Sequence, residues 1–169
     1  DDGLGLEYFI PAKDMVREHD IPTSHSAGFI SIVIGATYET KKLPVHKLQE
    51  LCKKIDHPIM LLGGLEDSVN AELRQSKLVV SHDTGLMHIA AALQKPIISI
   101  WGNTAPVFGM YPYFGSQMKQ QYDVMEVNGI SCRPCSKIGY HKCPMEHFKC
   151  MEKIDVNDIV KLVNMRLRS

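Results

Sequence analysis

The segment Ser81-His82-Asp83-Thr84-Gly85-Leu86-Met87-His88-Ile89-Ala90-Ala91-Ala92-Leu93 carries an acid, a hydroxyl, a glycine and a histidine at spacings that suit anion binding. The alanine run predicts a tightly packed helix opening at Thr84. Free amides and the positive end of the helix dipole at such a start attract negative charge, a phosphate above all. Gly85 leaves room for a ligand to approach the backbone. His88, four residues after Thr84, falls on the same helix face and stands beside whatever the helix end holds. Asp83 is the expected N-cap, and capping a core helix is the plain alternative to a binding role.

A helix start binds only if a sheet holds it in place. Leu78-Val79-Val80 leads into the segment and Pro96-Ile97-Ile98-Ser99-Ile100-Trp101 leaves it, which reads as strand, turn, helix, strand. Upstream, Phe29-Ile30-Ser31-Ile32-Val33-Ile34 is a β-branched run, followed by a polar loop over 35–42. Pro44 suits a first helical turn, and Val45, Leu48, Leu51, Cys52 and Ile55 recur at helical spacing. A second strand, Pro58-Ile59-Met60-Leu61-Leu62, ends at Gly63-Gly64, and residues 68–76 have helical tendency. Tyr122-Asp123-Val124-Met125-Glu126-Val127 reads as an edge strand, and Asp155 as the cap of a last helix bearing Val156, Ile159, Val160 and Val163 on one face. The alternation predicts an α/β fold, a Rossmann-like doubly wound parallel sheet. Ligands of such sheets bind beyond the carboxyl ends of the strands, so the loops 35–42, 63–67, 82–85 and 102–104 are expected to converge on one ligand.

Composition narrows the partners. Lys and Arg together number 19, as do Asp and Glu, so no bulk basic charge points to nucleic acid. No apolar run reaches the roughly 18 residues of a membrane span. The expected division is a linker and lead-in over 1–27, rich in Gly, Pro and charge, then one domain over 28–169.

Ile34-Gly35-Ala36 with Thr40-Lys41-Lys42-Leu43-Pro44, Leu61-Leu62-Gly63-Gly64 with Glu66-Asp67, the segment Asp83 to Ala92, and Trp101-Gly102-Asn103-Thr104-Ala105-Pro106 occur in one order along the chain. In this they resemble the C-terminal half of glycosyltransferase family 9, the ADP-heptose:lipopolysaccharide heptosyltransferases. The resemblance implies the donor half of a GT-B enzyme, with a missing N-terminal Rossmann-like domain supplying acceptor surface and general base. It implies an ADP-sugar donor (ADP-heptose), a lipopolysaccharide inner-core acceptor, no cofactor and no catalytic metal. It implies a cytoplasmic setting, peripheral at the inner face of the inner membrane. Lys41 would meet the donor phosphates, with Thr37 adding a hydroxyl; Glu66 would accept from ribose hydroxyls and Asp83 from the sugar. The amides of Thr84 and Gly85 would receive the diphosphate. Lys41 and His88 would stabilise the leaving group, and Asn103 and Thr104 would line the pocket. Family members usually carry a further short strand and a Gly-Lys turn between the Glu66 region and the strand that begins here at Leu78; the short crossover here agrees either with a stretch absent from this sequence or with a natural deletion. A Rossmann-type nucleotide-sugar module of a non-transferase, such as a sugar epimerase, is the alternative.

Cys132, Cys135, Cys143 and Cys150 form a C-x2-C-x7-C-x6-C set within a Cys-rich loop over 131–151. The first pair has zinc-ligand spacing and the second is looser than a zinc ribbon. Packed free thiols are the preferred reading, zinc the weaker alternative. For residues 108–114, packing over the sheet edge is preferred to facing an acceptor or another domain.

Overall fold

A computed structural model describes residues 3–12, 21–63 and 69–168. Five strands form one parallel sheet: β1 (Ile30–Val33), β2 (Ile59–Leu62), β3 (Leu78–His82), β4 (Ile97–Trp101) and β5 (Tyr122–Glu126), in the order β2-β1-β3-β4-β5. The helices are α1 (Val45–Lys54), α2 (Val69–Gln75), α3 (Gly85–Ala92), α4 (Lys149–Glu152) and α5 (Val156–Arg168).

Alternate side chains of a strand face opposite sides, so the continuous apolar runs feed two cores. On one side Ile30, Ile32, Leu78, Val80, Ile98 and Ile100 meet Leu51 of α1 and Val156, Ile159 and Val163 of α5. On the other, Val33, Val79, Ile97 and Trp101 meet Met87, Ala90 and Ala91 of α3 and Leu73 of α2. The alanines of α3 let it lie close to the sheet, which fixes where its first turn points. Asp155 caps α5 as expected, its Oδ1 accepting the Asn157 amide at 2.8 Å.

The order β2-β1-β3 means the chain leaves β1 on one side and returns on the other. The connections after β1 and β3 therefore run to helices on opposite faces of the sheet, and a crevice opens where they part. The first residues lie against this body: the Gln117 amide donates to the Gly3 carbonyl at 3.1 Å. His25 Nε2 lies 3.0 Å from the Ile59 carbonyl. The stretch 108–114 divides. Phe114 is fully buried and stacks with Tyr122, whereas Phe108 and Met110 stay exposed. Among the described residues no helix is long and apolar enough to cross a membrane.

Candidate functional site

A cleft of about 620 Å³ opens above β1 and β3. The loop after β1 contributes Thr37, Tyr38 and Lys41, and Gly63 comes from the end of β2. Asp83, Thr84, Gly85, Leu86 and His88 come from the start of α3, and Met110 and Ile138 from two later loops.

Asp83 is the electrostatic centre. Its Oδ2 lies 2.8 Å from Lys41 Nζ and accepts the Thr104 hydroxyl at 2.9 Å. The two charged side chains are 14% and 6% exposed, so the pair is shielded and its attraction little screened. Both partners use the same oxygen. Asp83 Oδ1 has no protein partner among the described residues and remains an acceptor for a ligand hydroxyl.

Asp83 does not cap α3, contrary to the sequence expectation. Thr84 occupies that position with extended backbone and no side-chain cap. With Asp83 turned to Lys41 and Thr104, the first amides of α3 keep their capacity for a ligand. Nothing lies within 4 Å of where a Cβ on Gly85 would stand, so a ligand can reach them. His88 overlooks this turn. Burial, opposed by Asp83 and reinforced by Lys41, holds its pKa below the ordinary imidazole value. His88 is thus neutral near pH 7 and can offer a ring N–H rather than a second positive charge.

The Lys41 loop is anchored from below. His82, the last residue of β3 and buried, accepts the Leu43 amide on Nε2 at 2.8 Å. Burial, with a smaller contribution from Lys42, depresses its pKa to about 4. The anchor is therefore a neutral ring with its proton on Nδ1, which has no partner among the described residues.

Thr37, Lys41, Asp83, Thr84, Gly85 and His88 thus come together in one cleft. Glu66 lies outside the described residues. Asn103 and Thr104 are buried and do not line the cleft; Thr104 stands behind Asp83 and Asn103 faces the interior. The fourth loop is a support rather than a wall.

Sequence reasoning gave no role to the loop that closes the far side. Thr40 and Tyr140 are joined by three hydrogen bonds: the Thr40 amide (3.1 Å) and hydroxyl (2.9 Å) donate to the Tyr140 carbonyl, and the Tyr140 amide returns to the Thr40 hydroxyl (2.8 Å). Gly139, at φ +120°, lies on the Tyr38 ring, where a Cβ would come within 2.6 Å of the Tyr38 side chain. Ile138 thereby reaches the mouth of the cleft.

The four cysteines of this loop are free thiols, and among the described residues no group of three or more His, Cys, Asp or Glu side chains is placed to hold a metal. His147 accepts the Lys149 amide on Nδ1 at 3.1 Å, which puts its proton on Nε2, 3.7 Å from Cys132 Sγ. Burial first, then neighbouring thiols, raises the pKa of Cys135, and that of Cys150 to about 11. Both remain protonated near neutral pH.

The glycosyltransferase family 9 (heptosyltransferase) model matches residues 27–145, more than half of the chain. The lipopolysaccharide heptosyltransferase 2 of Escherichia coli K12 is 47% identical over 32 residues, 19% of this chain and 9% of that protein. The structure of E. coli ADP-heptose LPS heptosyltransferase II superposes with a TM-score of 0.66 at 17% identity, over 95% of this chain and 53% of the other. E. coli heptosyltransferase WaaC with ADP gives 0.54 at 20% identity, over 88% of this chain and 47% of the other. The chain spans about half the length of the solved structures it matches.

Proposed function

The chain belongs to glycosyltransferase family 9, the heptosyltransferases, and from that membership we propose that it is the donor-binding half of an inverting sugar transferase. The proposed donor is an ADP-sugar, heptose or a close relative, and the proposed acceptor is lipopolysaccharide inner core. The WaaC neighbour, whose structure is described as holding ADP, supports the choice of nucleotide. The proposed setting is the cytoplasm, and the proposed general base and acceptor surface lie on a second Rossmann-like domain.

The observation that carries this reading is the convergence of Lys41, Asp83 and the uncapped start of α3 in one cleft. The acceptor oxygen attacks the anomeric carbon and gives its proton to the base on the other domain. The bond from that carbon to the diphosphate oxygen breaks, and the diphosphate leaves with the electron pair. Charge grows on the leaving oxygens, where Lys41, the α3 amides and the His88 N–H can meet it. Donors fixed beforehand need little reorganisation, and this supports a reaction without a metal ion. Lysine carries three N–H donors, so Lys41 can contact a phosphate without releasing Asp83. Asp83 Oδ1 takes a sugar hydroxyl, and Thr37 adds a hydroxyl to the phosphates.

Lys41→Ala is expected to weaken ADP binding by about 1.5–3 kcal/mol, the worth of a charge-assisted hydrogen bond, with the fold retained. Calorimetry with ADP, and with UDP, GDP and CMP sugars as competitors, measures both site and base preference. Unchanged ADP affinity in a folded variant would remove Lys41 from the site.

A further inference from the structure

The Cys-rich loop grips the support behind Asp83 through one side chain. Arg133 Nε donates to the Gly102 carbonyl at 2.6 Å and Nη2 to the Thr104 carbonyl at 3.0 Å. The Cys135 amide donates to the carbonyl between them, that of Asn103, at 3.0 Å. Three successive carbonyls beyond β4 are therefore held by two residues of one loop. Nη2 also pairs with Glu126 at the end of β5, the residue that lies opposite Trp101 in the ladder. The Arg133 side chain is only 8% exposed. A guanidinium suits this place, because its fixed fork spreads donors over separate nitrogens to serve two carbonyls and a carboxylate at once, whereas an ammonium offers all its donors from one point.

The segment so clamped ends in Thr104, whose hydroxyl is fixed on Asp83 Oδ2. The contacts run from Glu126 to Arg133, to residues 102–104, to Asp83 and on to Lys41. We propose that Arg133 is a positioning residue of the site, holding Asp83 where it can take a donor hydroxyl and keep Lys41 in place. The substrate half of this statement rests on the donor reading given above. Arg133 is remote from the ligand itself and acts only through Thr104.

The test has two arms. The first needs no ligand: the ¹⁵N–¹H signal of the Lys41 ammonium, assigned by its loss in Lys41→Arg, is recorded in the wild type, Arg133→Lys and Thr104→Val. Pairing with Asp83 protects that signal from exchange with water, and both variants should broaden it. An unchanged signal in folded Arg133→Lys overturns the proposal. The second arm measures ADP-sugar affinity in a double-mutant cycle. Arg133→Lys should weaken binding by about tenfold in the wild-type background and by less than about twofold in Thr104→Val or Asp83→Asn, since the path is already cut. Equal losses in all backgrounds would mean that Arg133 merely stabilises the fold. A wild type that binds no ADP-sugar refutes the donor reading, and the first arm still decides the role of Arg133. Thr104→Val leaves the arginine clamp intact and covers the case in which Arg133→Lys fails to fold.

Discussion

Asp83→Asn is expected to lower sugar transfer by roughly 100-fold, about 3 kcal/mol, while ADP binds as tightly as before or more so. The two effects separate because the carboxylate has opposite relations to the two parts of the donor. It accepts from the sugar, yet it stands beside the place proposed for a diphosphate and neutralises the lysine that would hold it. Asparagine keeps an acceptor for the Thr104 hydroxyl, so residues 102–104 stay in place. The charge is removed, the Oδ1 acceptor offered to the sugar becomes an NH2 donor, and the positive charge of Lys41 is no longer offset. Steady-state kinetics on the intact enzyme and calorimetry with ADP measure the two quantities. A parallel fall in both would show that Asp83 serves the nucleotide rather than the sugar.

Acid is expected to destabilise the protein through His82 by roughly 3 kcal/mol between about pH 6.5 and pH 4. Folding lowers the pKa of this ring from 6.5 to about 4, so the unfolded chain binds the proton more strongly. The contribution is complete above about pH 6.5, falls as the pH drops towards 4, and changes no further below that. Protonation also converts Nε2 into a donor facing the Leu43 amide, which removes the anchor two residues after Lys41. The site should therefore loosen with the fold. Urea unfolding of wild type and His82→Gln across this range isolates the effect, since carboxylates contribute equally to both. Identical pH slopes would remove His82 from the account.

The sheet was legible because its strands are short β-branched runs with turn residues between them, and burial on both faces demands that pattern. The convergence of the β1 and β3 loops was legible too, as parallel order leaves the carboxyl ends on one edge. Asp83 was misread as a cap because local sequence favours capping, whereas two partners distant in sequence, Lys41 and Thr104, outbid the helix amides. Thr104 and Asn103 were expected in the pocket wall, and only the packed structure shows them behind it. Arg133 and His82 carried no signal at all. Each acts on backbone carbonyls or amides some 30 to 40 positions away, and a main-chain partner leaves no trace in the identity of the residue that offers it.

The joint between Thr40 and Tyr140 links positions 100 residues apart. Closing so long a loop costs entropy before its few hydrogen bonds repay any of it, so contacts of this kind form late in folding and open early. The Thr40 amide, bonded only across this joint, should then exchange with deuterium well before the amides of β3 and β4. Such a result would show that the far wall of the cleft opens while the sheet beneath it stays folded.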